Sequence, residues 1–196
     1  MLPKLDKPHI LDVGCGSGVP AMELARLSDG QIIGLDINQR LLDILATKIE
    51  KAGLSHRVKP LKCSMFDMDF PDESFDIIWA EGSISVIGFN RGLKEWRRFL
   101  KPDGFLVVHD EIGNTTEKLE RVSSCGYDLL DYFTLLDDTW LTEYYAPLQK
   151  LVNKLRTEHS DDPKLLEILD HEQREIAMVK SNPGRYCSAF FIMKKR

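Results

Sequence analysis

The 196-residue sequence has no C-x-x-C pair, and its four cysteines, Cys15, Cys63, Cys125 and Cys187, stand far apart. That spacing excludes a zinc ribbon or a disulfide framework and fits free thiols in a cytoplasmic protein. No apolar run approaches the roughly 20 residues that a bilayer-spanning helix needs, so no membrane partner is expected. Histidine is scarce, and the scattered His9, His56, His159 and His171 suggest no metal-ligand cluster. A surplus of positive charge is also missing. The formal net charge of -5 argues against nucleic acid as a partner. The one internal basic cluster, Arg97-Arg98 with Lys101, falls at a helix end, where cations suit the helix dipole. Met1 to Pro8 is short, polar and proline-punctuated and does not read as a signal peptide. The chain has the length of one domain with one core and shows no internal repeat.

What is present is a rhythm of short apolar runs alternating with helical patterns, the signature of a parallel α/β sheet. Strands are expected over His9–Val13, Gln31–Ile37, Val58–Ser64, Phe75–Ala80, Phe105–His109 and Tyr127–Leu136. Helices are expected over Val19–Ser28, from Asn38 to Gly53, over Arg91–Leu100 and over Thr115–Ser124. Asn38 suits an N-cap, with Leu41, Leu42, Leu45 and Ile49 recurring at helical spacing behind it. Lys101-Pro102-Asp103-Gly104 reads as a turn. The rhythm breaks after the sixth strand. Trp140–Thr157 and Pro163–Lys180 read as charged helices, Asn182-Pro183-Gly184 as a turn, and Tyr186–Met193 as a last, strongly apolar strand. A helical insertion of about 140–182 therefore separates the last two strands.

The first strand runs straight into Gly14-Cys15-Gly16-Ser17-Gly18. Glycines there let the backbone turn tightly and approach a ligand, and the following helix presents free N–H groups. Asp36 ends the second strand about 20 residues on, where an acid can bind ribose hydroxyls. The spacing is G-x-G-x-G and not the G-x-G-x-x-G of dinucleotide enzymes.

These residues carry a resemblance. Leu11-Asp12-Val13-Gly14-Cys15-Gly16-Ser17-Gly18 resembles motif I of class I S-adenosylmethionine-dependent methyltransferases, and Leu35-Asp36-Ile37 resembles their motif II. Phe70-Pro71-Asp72-Glu73-Ser74-Phe75-Asp76 and Leu100-Lys101-Pro102-Asp103-Gly104-Phe105 resemble the stretches leading into strands four and five. The resemblance implies a Rossmann-like three-layer α/β sandwich. Its seven-stranded, mostly parallel sheet would have the order 3-2-1-4-5-7-6, with the last strand antiparallel. S-adenosyl-L-methionine would be the cofactor, held by Asp12, Gly14, Cys15, Gly16, Ser17, Gly18, Asp36, Ile37 and Glu81. Asp12 would serve the methionine end and Asp36 the ribose. Family members often carry an acid for adenine just after strand three. Ser64 stands there instead, followed by Met65, which can pack on the ring.

Ligands of open α/β sheets bind at the carboxyl ends of the strands. After strand four the chain reads Trp79-Ala80-Glu81-Gly82-Ser83-Ile84, and after strand five His109-Asp110-Glu111. Neither the Asn-Pro-Pro-Tyr of adenine and glutamine N-methylating enzymes nor the Pro-Cys of cytosine C5 enzymes is present. With Ile87-Gly88-Phe89, Glu95-Trp96 and Trp140–Pro147, these segments resemble the methyltransferase-11-like group that acts on small molecules. Methyl transfer is an in-line displacement in which alignment carries much of the rate, and an amine or hydroxyl acceptor also needs a base. Glu81 is the first candidate for base or acceptor-orienting group and His109 the second. Tyr144 is a candidate to hold the acceptor or to face the sulfonium through its ring. Asp110, Glu111 and Glu81 raise magnesium as an alternative, but no metal site is expected.

Only eight residues precede the first strand, so the helices with which relatives cover a substrate are not expected here. The insertion before the last strand is the expected lid, helped by a second subunit in a homodimer. The rival readings are a non-catalytic S-adenosylmethionine-binding regulatory module and a nicotinamide-dependent oxidoreductase.

Overall fold

The computed structural model describes residues 2–135, 137–182 and 187–196. Seven strands form one sheet: β1 (His9–Val13), β2 (Gln31–Asp36), β3 (Val58–Lys62), β4 (Phe75–Glu81), β5 (Leu100–Glu111), β6 (Tyr127–Leu135) and β7 (Ser188–Lys195). Their order is β3-β2-β1-β4-β5-β7-β6, mostly parallel, with β7 antiparallel. This is the Rossmann-like arrangement expected from the motifs. The turn at Pro183-Gly184 and the strand start at Tyr186 lie outside the described residues, as does Leu136.

β1 pairs with β2 on one side and β4 on the other, setting Asp12 beside Gly34 and Trp79. Paired residues of parallel strands point to the same face. Ile10, Ile32, Ile77 and Phe105 thus share a face, and they pack against Ala21 and Ala25 of helix α1 (Val19–Leu27). Leu42, Leu45 and Ile49 of α2 (Gln39–Lys51) complete that layer. Asn38 caps α2, its side chain accepting from the Arg40 N–H at 3.1 Å. Beyond β4 come α3 (Ile84–Ile87), α4 (Phe89–Trp96) and a single 3-10 turn, Arg97–Phe99. The helix expected over 91–100 is thus shorter and begins earlier.

The turn expected at Lys101–Gly104 is a correction of another kind. It is absorbed into β5 as an irregularity: Phe75 pairs with Leu100, while Ile77 already pairs with Phe105. Asp103 takes φ 62°, so the turn chemistry is real but bends a strand instead of ending one. The basic cluster is spent internally. Arg97 donates to the Arg196 carbonyl at 2.6 Å, Arg98 to Asp72 at 3.2 Å, and Lys101 pairs with Asp76 at 2.8 Å.

The chain divides into two compact units, 2–133 with 190–196, and 134–189. The second holds α6 (Asp137–Trp140), one wider π turn (Leu141–Tyr145), α7 (Ala146–Glu158) and α8 (Pro163–Ser181). Its core is Tyr145, Val152, Leu169, Ile176 and Val179. The Tyr145 hydroxyl donates to Glu175 at 3.0 Å. Trp140 donates through its indole N–H to the Ser188 hydroxyl at 3.1 Å. In α5 (Thr115–Ser124) of the first unit, Lys118 pairs with the buried Asp110 at 2.7 Å.

Candidate active site

At its carboxyl end β1 opens into the glycine loop. The N–H groups of Gly14 and Cys15 both donate to the Leu35 carbonyl, at 2.8 and 2.9 Å, so the loop is pinned to the end of β2. Gly16 donates its N–H to the Asp36 carboxylate at 2.9 Å, and Asn38 donates to the other Asp36 oxygen at 2.8 Å. Each oxygen keeps a lone pair, so Asp36 can still accept from a ligand's hydroxyls. Gly18 precedes α1 at φ 81°, and a Cβ there would fall 2.2 Å from Leu45 Cδ1. The positive φ and that close approach both require glycine. Gly16 is also left-handed at φ 54°, yet its Cβ position meets nothing. That open side faces no protein atom and is where a ligand can lie against backbone.

Asp12 is buried to 1% exposure, and neither carboxylate oxygen has a hydrogen-bond partner among the described residues. Burial, then the charge of Glu81, push its pKa up to about 7; the Ala21 N–H works against this and Asp36 adds to it. Cys15 is also buried, and burial with the charges of Asp12 and Asp36 lifts its thiol to about 12. It is therefore a packing residue of the loop with no thiolate character near neutral pH.

Around this loop the structure brings together the expected residues of four further strand ends. Ile37 follows β2 and is 69% exposed. Beyond β3, the Ser64 hydroxyl accepts from the Phe66 N–H at 3.2 Å. Met65 reaches back so that its Cε lies 3.7 Å from the Cβ position of Gly14. Glu81 ends β4 with its carboxylate in solvent, steadied by the Trp79 indole N–H at 3.2 Å. His109 is its register partner on β5. The His109 ring stacks on Phe190 at 4.6 Å, and burial holds its pKa below the usual histidine value against the pull of Glu81 and Asp110. His109 is thus neutral at pH 7 and suited to accept a proton.

Two residues of the site escaped the sequence reading. Ser83 is buried and donates its hydroxyl to the Val13 carbonyl at 2.5 Å, tying the turn after β4 to the root of the glycine loop. Lys48 of α2 donates to the Ser17 carbonyl at 2.9 Å and its hydroxyl at 3.3 Å, bracing the loop from behind. Both contacts join residues far apart in sequence, and no local pattern announces them. Asp110 is committed to Lys118, which removes it from any metal site with Glu81. Tyr144 belongs to the second unit, where it is 50% exposed and meets Trp140 and Tyr145 edge-on at 6.0 and 5.0 Å.

A groove of about 1050 Å³ lies elsewhere on the first unit. Pro8, Asp29 and Arg57 line its base at the amino ends of the strands, and Trp79, Phe133 and Phe190 its upper wall. It is a sheet-face feature and is distinct from the loop edge where the polar groups converge.

The fold and the loop with its following acid define a nucleotide-cofactor domain of methyltransferase type. A family model described as a methyltransferase domain matches residues 10–104, from β1 through the entry to β5. Over residues 10–104 the chain carries a methyltransferase domain of the class I S-adenosylmethionine-dependent type. The sterol 24-C-methyltransferase erg6 of Aspergillus fumigatus is 29% identical over 168 residues, covering 71% of this chain and 45% of that protein. The chain thus spans less than half the length of this curated relative. A methyltransferase of Geobacter sulfurreducens, solved with S-adenosyl-L-homocysteine, superposes with a TM-score of 0.80 at 18% identity. The match covers 97% of this chain and 86% of that one. The [4+2]-cyclase SpnF superposes at 0.78 with 24% identity, covering 97% and 75%. These likenesses establish a shared fold.

The residues present fit the family's methyl donor. A buried acid without a partner, Asp12, suits a cationic group. Asp36 suits ribose hydroxyls, and Ile37 with Met65 offers apolar surface for a purine.

Proposed function

We propose that this chain binds S-adenosylmethionine across the glycine loop and transfers its methyl group to a small-molecule acceptor at the ends of β4 and β5. The observation that carries this reading is the convergence of Asp12, Asp36 and the open backbone of the glycine loop at one sheet edge, with Glu81 and His109 on the adjoining strands. When bound, the donor supplies an activated methyl group on a sulfonium, so the protein needs to align and not to activate it.

Asp36 accepts from the ribose hydroxyls, Asp12 receives the methionine end, and Ile37 and Met65 border the adenine, with Ser64 replacing the usual acid. Gly14, Cys15, Gly16, Ser17 and Gly18 supply backbone at contact distance. Glu81, held by Trp79, orients the acceptor and takes its proton if it is an amine or hydroxyl. Neutral His109 is the alternative base. Tyr144 and the helices of residues 134–189 form the lid, and a second copy of the chain helps to enclose the acceptor. The sterol acted on by the Aspergillus relative supports a small organic acceptor over a macromolecule. No helix among the described residues is long and apolar enough to cross a membrane, and we place the protein in the cytoplasm.

The second reading keeps the donor pocket and drops methyl transfer. One observation favours it: a structure named as a [4+2]-cyclase shares this fold across 97% of the chain. Incubation with a metabolite extract and methyl-labelled S-adenosylmethionine separates the two. Label appearing in an organic product that needs Glu81 supports methyl transfer. Saturable donor binding with no labelled product from any extract supports the second reading.

A further inference from the structure

Three carboxylates, Asp12, Asp36 and Glu81, close on one edge of the sheet. Asp12 and Trp79 are register partners, and Glu81 follows two residues later on β4, so Asp12 and Glu81 point to the same face in adjacent rows. Asp36 ends β2, next to β1 on the other side. Among the described residues none of the three is ion-paired with a lysine, arginine or histidine. The surrounding elements supply little to balance them. From α1 comes the Ala21 N–H, from the loop the un-ionised Cys15 thiol, and from β5 the neutral His109. The Lys48 ammonium of α2 is turned onto Ser17. Of the three acids, Asp12 alone is sealed from water with no well-formed hydrogen bond to either oxygen; the Ala21 N–H is a weak, poorly aligned donor. A buried carboxylate in that position is costly as an anion and tolerable as an acid.

We propose that Asp12 is an uncharged carboxylic acid in the free protein near and below neutral pH, and that S-adenosylmethionine binding drives its proton into solvent. The inference rests on the donor-binding reading above and deepens it. The O–H bond of Asp12 breaks, the proton goes to water or buffer, and the carboxylate left behind faces the ammonium group of the ligand's zwitterionic amino-acid end. Donor affinity then depends on pH with a defined sign. Below the raised value of about 7 the ligand must displace a proton; above it the anion is already there. Linkage through Asp12 alone gives an affinity about tenfold weaker at pH 6 than at pH 8. It also gives proton release that approaches one per ligand well below that raised value and fades above it.

The test is calorimetric titration with S-adenosylmethionine, and separately with S-adenosylhomocysteine, in buffers of one pH but different ionisation enthalpies. The slope of observed enthalpy against buffer enthalpy counts the protons. Both ligands carry the amino-acid end and both are expected to release protons. Any titration of the ligand's own amino group is an uptake and has the opposite sign. Asp12→Asn is expected to abolish the release and flatten the pH dependence. Glu81→Gln leaves Asp12 in place but removes a charge that disfavours its ionisation, so release at pH 7 should fall. A zero slope for the wild-type protein at pH 6 and 7, or an undiminished slope in a folded Asp12→Asn variant, overturns the proposal. Failure of both ligands to bind overturns the donor-binding reading itself, and this inference with it.

Discussion

Asp36 has two proposed duties, and a single substitution removes both. It holds the glycine loop through the Gly16 N–H, and in the proposed function it accepts from the ribose hydroxyls. Hydrogen bonds to a charged group contribute about 1.5–3 kcal/mol each. Asp36→Ala should therefore weaken S-adenosylmethionine binding by at least about tenfold in a calorimetric titration. Affinity within twofold of wild type would remove Asp36 from the ribose role. Asp12, by contrast, could be read from sequence only as an acid in a motif. Its lack of a partner follows from the Trp79 and Gly34 neighbours that pairing sets on either side, which one strand does not reveal.

At the scale of elements, the loop distinguishes a glycine needed for folding from one needed for access. A Cβ at Gly18 meets Leu45 Cδ1 at 2.2 Å in the core, whereas a Cβ at Gly16 meets nothing. Gly18→Ala should cost about 2–4 kcal/mol in urea unfolding, from overpacking plus a left-handed backbone. Gly16→Ala should cost only about 1–2 kcal/mol, from the backbone alone, yet still lower ligand affinity where the donor crosses the loop. Equal stability losses with unchanged affinity for Gly16→Ala would contradict this division.

The strands and their helices were legible because β1, β2 and α2 carry short apolar runs and helical spacing between clear stops at Gly30, Asn38 and Gly53. The Lys101–Gly104 segment was legible as turn chemistry but not as a bulge. Whether a turn ends a strand or bends it depends on the partner, here the β4 register around Phe75 and Ile77. For the same reason Ser83 and Lys48 stayed hidden, since each acts across a distance of 31 residues or more.

For the whole molecule, the helices of residues 134–189 have their own core, with Val152 and Ile176 buried and the Tyr145 to Glu175 hydrogen bond across it. In the proposed function these helices are the lid, and every residue assigned to the donor lies in the first unit. Deleting Thr142 to Lys180 should abolish turnover and leave donor binding measurable. A folded deletion that still methylates would end the lid role. The glycine spacing, the antiparallel last strand and the methyltransferase match over residues 10–104 set this chain apart from nicotinamide enzymes. The G-x-G-x-G loop with Asp36 is the feature on which that separation turns. Titration of the intact protein with S-adenosylmethionine and with NADH tests it most directly. The expected result is saturable one-to-one binding of S-adenosylmethionine and none of NADH; binding of NADH alone would contradict the account.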